Sequence, residues 1–118
     1  MIGVGIDAVD VARFALILGR RAGFEERVFT PLERSTCAGT VNRLAARFAA
    51  KEATMKALGV GLGAFGFHDV WVEREPSGRP LLRVAGRAEE LARDAGVRRW
   101  HVSLTHTDLV AEAVVVAE

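Results

Sequence analysis

The sequence predicts an α+β fold in which a mostly antiparallel sheet packs against one long helix. An alanine-rich helical segment spans residues 42–58, and strand-like segments occur at 2–7 and throughout the C-terminal half. The C-terminal strands are separated by short turns, which join antiparallel neighbours. The predicted order is β-α-α-α-β-β-α-β-β, and strand pairs set apart from helices are typical of α+β domains. At 118 residues, the chain is expected to form a single domain, 1–118.

The N-terminal segment GVGIDAVDVARF predicts a strand at residues 2–7. Because strand side chains alternate, one face carries Ile2, Val4 and Ile6, and the other carries Gly3, Gly5 and Asp7. Glycines on a strand face let another backbone or a ligand come close. Asp7 therefore ends a hydrophobic strand on its open face, where it has two possible roles: a cap for the next helix, or a ligand.

Three helices are predicted between this strand and the centre of the chain. The first covers residues 9–18 and ends at Gly19, and the second lies in FTPLER, with Thr30 as its N-cap. The third, at 42–58, is the strongest because alanine has the highest helix propensity; Asn42 is its expected N-cap and Gly59 its stop. GVGLGAFGF at 59–67 follows as a glycine-rich loop.

The C-terminal half predicts two strand pairs separated by a helix. The first pair is DVWVERE and RPLLRV around the turn PSG. A helix follows in AGRAEELARDAG and is closed by Gly96. The second pair, 100–105 and 111–117, is expected to form a hairpin around HTDL, with His106 beginning the turn.

Composition excludes several classes of protein. The net charge of +1 does not indicate a nucleic-acid-binding protein, and no segment reaches the roughly 18 to 20 apolar residues of a membrane helix. The N-terminus lacks the features of a signal peptide, so a cytoplasmic protein is expected. Cys37 is the only cysteine, which excludes an intrachain disulfide and favours an unreactive thiol. Residues 1–60 carry the excess of positive charge, either as a solvated surface or as a surface for an acidic partner.

Three positions carry polar residues that the fold does not require. Asp7 is the first. Glu52 and Lys56 lie four residues apart on the long helix, beside the apolar stripe that contains Phe48, so that they would form either a surface pair or a site for a cation. His106 lies in the turn of SLTHTD and is either simply exposed or part of a site. Two carboxylates, a lysine and glycine-rich loops are typical of Mg²⁺ and phosphate chemistry, since Mg²⁺ takes oxygen ligands and lysine suits phosphate.

Five segments of the chain carry a resemblance to a known family: GVGIDAVDVARF, FTPLE, ARFAAKEATMKALGVGLG, FHDVWVEREPSGRPLL and HVSLTHTDLVAEAVVVAE. They resemble, in order and spacing, the signature segments of the holo-acyl-carrier-protein synthases, which are small trimeric 4′-phosphopantetheinyl transferases. This resemblance implies transfer of the phosphopantetheine arm of coenzyme A to a serine of an apo acyl carrier protein, with Mg²⁺ as cofactor, in fatty-acid or polyketide synthesis. It also implies the 4′-phosphopantetheinyl transferase fold and a homotrimer with clefts between subunits.

The same resemblance assigns roles to individual residues. Asp7 and Glu52 would hold the metal, and these two with Lys56 would form the catalytic group. Coenzyme A would be bound by a second set: Lys56, His106, Thr107 and Arg47. A basic helical surface around Arg13 and Arg47 would receive the acidic carrier protein. The base that accepts the serine proton would be Glu52 or a metal-held water.

Two other functions compete with this one. A carrier-binding subunit without activity would be expected to lack Asp7, Glu52 or Lys56, whereas all three are present. A different magnesium-dependent nucleotide enzyme would have no reason to keep FAAKEATMKALG. The related larger transferases are about twice as long, so the chain length favours the small trimeric kind.

Overall fold

The computed structural model describes residues 1–118, and its strands form two antiparallel sheets. Three strands form the larger sheet in the order β1-β5-β4: β1 (Gly3–Asp10), β5 (Val110–Ala117) and β4 (Trp100–His106). The strands β2 (Val70–Arg74) and β3 (Pro80–Val84) form a separate hairpin. The α+β class and the antiparallel pairing predicted from sequence are confirmed, and the strands are divided between two sheets.

Five helices accompany the sheets. They are α1 (Val11–Arg20), α2 (Phe24–Val28), α3 (Pro31–Thr36), α4 (Val41–Leu58) and α5 (Gly86–Asp94), with a 3₁₀ turn at Phe67–Asp69. The predicted order lacked α2. This helix has only five residues and begins after Gly23 at φ 79°, so it is too short to show a helical periodicity. None of the helices combines the length and apolar character needed to span a bilayer.

Helix ends agree with the predictions at two places and differ at two others. Thr30 forms a complete capping box with Glu33, with Pro31 at the first helical position. Gly59 ends α4 in the left-handed conformation, at φ 70°. Asn42 is not the N-cap of α4, because the helix begins one residue earlier with Thr40 in the cap position. Gly19 does not end α1, which continues to Arg20.

The helix α4 packs directly on the inner face of the larger sheet. Small side chains line both surfaces: Ala49, Ala50, Ala53 and Ala57 on α4, and Ala113, Val115 and Ala117 on β5. On β1, a Cβ atom built at Gly3 would lie 1.9 Å from the carbonyl oxygen of Ala57, and one built at Gly5 would lie 1.9 Å from that of Ala53. The two glycines therefore let the backbone of β1 approach the backbone of α4.

This approach decides which face of β1 is buried. The face with Gly3 and Gly5 meets α4, and the apolar face points outward: Ile2, Val4 and Ile6 are 49 %, 57 % and 60 % exposed. On β5, Val114 and Val116 pair with Ile6 and Val4 and continue this outer face. The outer face of the larger sheet is thus an apolar surface without a covering element.

Candidate functional site

The strand β1 continues beyond Asp7, where the sequence predicted it to end. β1 continues to Asp10, whose side chain accepts a hydrogen bond from the Arg13 amide at 2.9 Å and caps α1. The alternative that Asp7 caps this helix is therefore wrong, because the added residues of the strand move the cap position to Asp10. Asp7 lies on the α4 side of the sheet with its side chain 18 % exposed.

Lys56 joins the end of α4 to β1. Its Nζ donates to the Asp7 Oδ1 at 3.1 Å and to the carbonyl oxygen of Ile6 at 2.9 Å. Lys56 thus forms its ion pair with Asp7, 49 residues away, and not with Glu52, its neighbour on the helix. The surface pair between Glu52 and Lys56 that the spacing allowed is not the pair that forms.

Glu52 faces the same cavity as Asp7. This open cavity, of about 380 Å³, lies between β1, α1 and α4, and its lining includes Asp7, Asp10, Arg13 and Glu52. Burial, and after it the negative charge of Asp7, raises the pKa of the Glu52 carboxyl, while Lys56 acts in the opposite direction. Two carboxylates that repel each other in one cavity favour a bound cation, and we call this the carboxylate cavity.

The carboxylate cavity suits Mg²⁺ on the chemistry of its donors. No group of three or more histidine, cysteine, aspartate or glutamate residues comes together as a metal cage in the structure. Mg²⁺ commonly takes only one or two protein carboxylates and completes its shell with water and phosphate oxygens. The pair Asp7 and Glu52 fits that requirement.

A second cavity gathers positive charge. It has a volume of about 270 Å³ and lies between α4, β2 and β4, where its lining includes Arg43, Arg47, Arg74 and His106. None of the three arginines forms an ion pair with a carboxylate. The buried Arg47 Nε has no hydrogen-bond partner, and burial lowers the pKa of this guanidinium. We call this the basic cavity; its three positive charges without carboxylate partners and the unpaired Arg47 Nε favour an anion.

The position of Arg47 contradicts one expectation from the sequence. Arg47 is 1 % exposed and cannot belong to an exposed surface with Arg13. The two arginines line different cavities, Arg13 the carboxylate cavity and Arg47 the basic one. The reason is that α4 is covered on most of its sides, so a position that resembles a solvated helix face is enclosed by the fold.

His106 and Thr107 mark the end of β4. His106 is the last residue of the strand rather than the start of the turn, and it lines the basic cavity. Thr107 Oγ1 accepts hydrogen bonds from the amides of Leu109 and Val110, both at 3.1 Å, and so shapes the turn behind His106. Asn42, expected to cap α4, instead donates to the Thr107 carbonyl oxygen at 3.0 Å and ties this turn to α4.

A buried ion pair was not foreseen. Lys51 and Glu33 are both 0 % exposed, and the Lys51 Nζ donates to Glu33 Oε1 at 2.8 Å, to the Phe67 carbonyl oxygen at 2.9 Å and to the Val70 carbonyl oxygen. These bonds join α4 to α3 and to the start of β2. Lys51, which makes them, directly precedes Glu52 on α4. The signal was present in the spacing, because Lys51 lies seven residues after Leu44 and four before Met55, both of them buried.

Cys37 is also fully buried. Burial raises the pKa of its thiol, so that the reactive thiolate is disfavoured. This agrees with the unreactive thiol expected from the sequence.

Comparisons with known proteins place these features in a family. The model of the 4′-phosphopantetheinyl transferase superfamily matches residues 3–116. The chain is 47 % identical over 118 residues to the holo-[acyl-carrier-protein] synthase of Beutenbergia cavernae, covering 100 % of this chain and 98 % of that relative. It is 48 % identical, with the same coverage, to the synthase of Frankia alni.

Solved structures show the same likeness in three dimensions. The holo-[acyl-carrier-protein] synthase of Helicobacter pylori in complex with coenzyme A superposes with a TM-score of 0.86 at 32 % identity, covering 98 % of this chain and 99 % of that one. The enzyme of Neisseria meningitidis gives a TM-score of 0.87 at 32 % identity, with coverage of 100 % and 98 %. The protein therefore belongs to the 4′-phosphopantetheinyl transferase superfamily and is a phosphopantetheinyl transferase.

Proposed function

We propose that this chain transfers the 4′-phosphopantetheine group of coenzyme A to a serine of an apo acyl carrier protein, releasing adenosine 3′,5′-bisphosphate. The observation that carries the proposal is the meeting of Asp7, Glu52 and Lys56 beside one cavity, in a chain 47 % identical to a holo-[acyl-carrier-protein] synthase over its full length. Residues 1–118 would act as one catalytic domain in the cytoplasm, serving fatty-acid or polyketide synthesis.

Asp7 and Glu52 would hold Mg²⁺ in the carboxylate cavity. A bound Mg²⁺ would neutralise the pyrophosphate charge of coenzyme A and stabilise the leaving phosphate. Two supports come from the chain itself: both carboxylates line the cavity, and the pKa of Glu52 is raised by burial and, after it, by the negative charge of Asp7.

Glu52 and Lys56 would handle the proton and the charge of the reaction. The serine oxygen of the carrier forms a bond to the β-phosphorus of coenzyme A, and the bond from that phosphorus to the bridging oxygen breaks. The serine proton would go to the Glu52 carboxylate, which lines the cavity, or to a metal-held water. The electron pair leaves with adenosine 3′,5′-bisphosphate, whose new charge the Lys56 ammonium would stabilise. Positioning and electrostatics supply most of the acceleration in such transfers.

The basic cavity would bind a phosphate of coenzyme A. Arg47 and His106 line it, as expected of coenzyme A ligands, and Arg43 and Arg74 add two further cations. None of these arginines has a carboxylate partner, and the Arg47 Nε has no hydrogen-bond partner, so donors remain for phosphate oxygens. Thr107 would act by shaping the turn that carries His106.

The carrier protein would dock on the exposed side of α1. Arg13, Arg20 and Arg21 lie there around Leu16 and Ile17, and this basic face adjoins the carboxylate cavity through Arg13. An acidic carrier would be attracted electrostatically, and its serine would be brought to the reacting atoms. We therefore expect the encounter to weaken with salt.

A homotrimer would cover the outer face of the larger sheet. Ile2, Val4 and Ile6 are exposed side by side on that face, which is unusual for a soluble protein without a partner. The carboxylate and basic cavities of one chain have no lining residue in common, so a complete cleft would combine cavities of neighbouring subunits. Light scattering should give about three times the 12.7 kDa of one chain; a monomer at assay concentration would contradict this assembly.

The test of the proposed function is direct. The protein would be mixed with coenzyme A, Mg²⁺ and apo acyl carrier protein, and the carrier weighed by mass spectrometry. A gain of one phosphopantetheine is expected, and no gain would refute the proposal. Glu52→Gln should abolish the gain while Glu89→Gln, at an exposed helix position, should not; equal activity of both variants would remove Glu52 from the mechanism.

A further inference from the structure

The contacts of Lys56 place a cation on a carboxylate assigned to the metal. The Lys56 Nζ lies 3.1 Å from Asp7 Oδ1, and Asp7 has no other ion-pair partner. The Ile6 carbonyl oxygen, 2.9 Å away, accepts a second hydrogen bond and holds the ammonium beside the middle of β1. Lysine carries a compact point charge, so it occupies the carboxylate as a small cation would.

The charges around the cavity explain why a cation is needed there. Asp7 and Glu52 line the cavity together, and the negative charge of Asp7 acts on Glu52. Asp10 adds a third carboxylate to the same lining. Arg13 is the only basic side chain in that lining. Lys56 therefore supplies the positive charge nearest to Asp7 when no metal is bound.

We propose that Lys56 is a displaceable counter-ion of Asp7, which a divalent cation releases when it takes the same carboxylate. This inference rests on the proposed function and concerns regulation of that site. A divalent cation and an ammonium compete for the Asp7 oxygens and repel each other, so each weakens the binding of the other. The released lysine would then be free to meet a phosphate. Binding of the metal is thus coupled to release of the Lys56 ammonium for the phosphate.

The freedom of Lys56 to move distinguishes it from the other lysine of the chain. The Lys56 side chain is 54 % exposed and has a flexible stem, so that leaving Asp7 breaks one partly exposed ion pair and, at most, the hydrogen bond to the Ile6 carbonyl oxygen. Lys51 is 0 % exposed and bound to Glu33 and to two carbonyl oxygens. Since these are the only two lysines, Lys51 is an internal reference that should not respond.

The first experiment measures Mn²⁺ binding to the full chain without coenzyme A, by the electron paramagnetic resonance of free Mn²⁺. Lys56→Met should tighten binding roughly 3- to 10-fold, because the competing charge is removed. Lys56→Arg, which keeps the charge, should bind like the unchanged protein. Arg93→Met, which removes the cation of an exposed pair with Glu89, is the matched control and should change nothing.

Asp7→Asn separates this inference from the proposed function. Loss of Mn²⁺ binding in Asp7→Asn, with tighter binding in Lys56→Met, supports the exchange. Loss in Asp7→Asn with unchanged or weaker binding in Lys56→Met would overturn the exchange and leave the metal site in place. If Asp7→Asn left the Mn²⁺ affinity unchanged, both the exchange and the assignment of Asp7 to the metal would be overturned. The transfer assay would still decide the activity.

The second experiment observes the lysine itself. With ¹³C-labelled lysine the protein has two Cε signals, which Lys56→Arg assigns. Added Mg²⁺ should move the Lys56 signal towards its position in metal-free Asp7→Asn and leave the Lys51 signal in place. Displacement of bound Mn²⁺ by Mg²⁺ shows that Mg²⁺ binds the site. If the Lys56 signal did not move although Mg²⁺ binds, the proposal would be overturned.

Discussion

Replacing Gly5 by alanine tests whether close packing of β1 on α4 builds the carboxylate cavity. The new Cβ would lie 1.9 Å from the Ala53 carbonyl oxygen and 2.8 Å from the Ala57 amide nitrogen. Both neighbours are backbone atoms of α4, so neither can rotate away as a side chain could. The strand and the helix must therefore separate.

The size of the effect follows from this geometry. Raising the contact from 1.9 Å to the 3.0 Å that real Cβ atoms need requires a displacement of about 1.1 Å. Overpacking of this severity costs about 3 kcal/mol, which for 118 residues lowers the melting temperature by roughly 12 °C. Because Asp7 is on the strand and Glu52 and Lys56 on the helix, a shift of about 1 Å should also slow transfer about 100-fold.

Urea unfolding and the rate of phosphopantetheine transfer measure the two effects. The matched control is Gly19→Ala, the same chemical change at a site where nothing lies within 4 Å of the new Cβ. That variant should be as stable as the unchanged protein or more stable by up to about 1 kcal/mol, since alanine favours helix. If Gly5→Ala kept its unfolding midpoint and its rate, the close approach of β1 and α4 would not be the basis of the site.

Three further predictions concern charges. Lys51→Met leaves Glu33 buried without its partner and should lower the free energy of unfolding by about 3–5 kcal/mol in urea titration; a loss below about 1 kcal/mol would argue against a buried ion pair. Glu52→Gln should stabilise the metal-free protein at pH 7 but not at pH 4. The raised pKa means that the ionised carboxylate is unfavourable in the folded state, so stability is full below the ordinary pKa of 4.5 and falls as pH rises through the folded pKa. Equal stabilisation at both pH values would contradict this account. Arg13→Glu should raise the KM for the carrier more than the KM for coenzyme A, whereas the exposed Arg93→Glu should change neither; equal effects of Arg13→Glu on both substrates would argue against docking there.

Features that depend on neighbouring residues were predictable from the sequence. The helix at 42–58 differs from α4 (Val41–Leu58) by one residue, because alanine content and Gly59 act locally. The capping box at Thr30 was equally local. The one-turn helix α2 was missed since five residues carry no helical periodicity. The start of α1 was misplaced because alternation continues through Ala8 and Val9 to Asp10.

The sequence by itself determined the class of fold, the long helix and the chemical kinds of residue at the site. Only the tertiary structure decided that Lys56 pairs with Asp7 rather than with Glu52, and that Arg47 and Lys51 are buried. It also decided that the glycine face of β1, and not its apolar face, meets α4. The physical reason is the same in each case: local propensity acts over a few residues, whereas these outcomes depend on how closely segments distant in sequence can pack, 18 residues apart for Lys51 and Glu33 and 49 for Lys56 and Asp7.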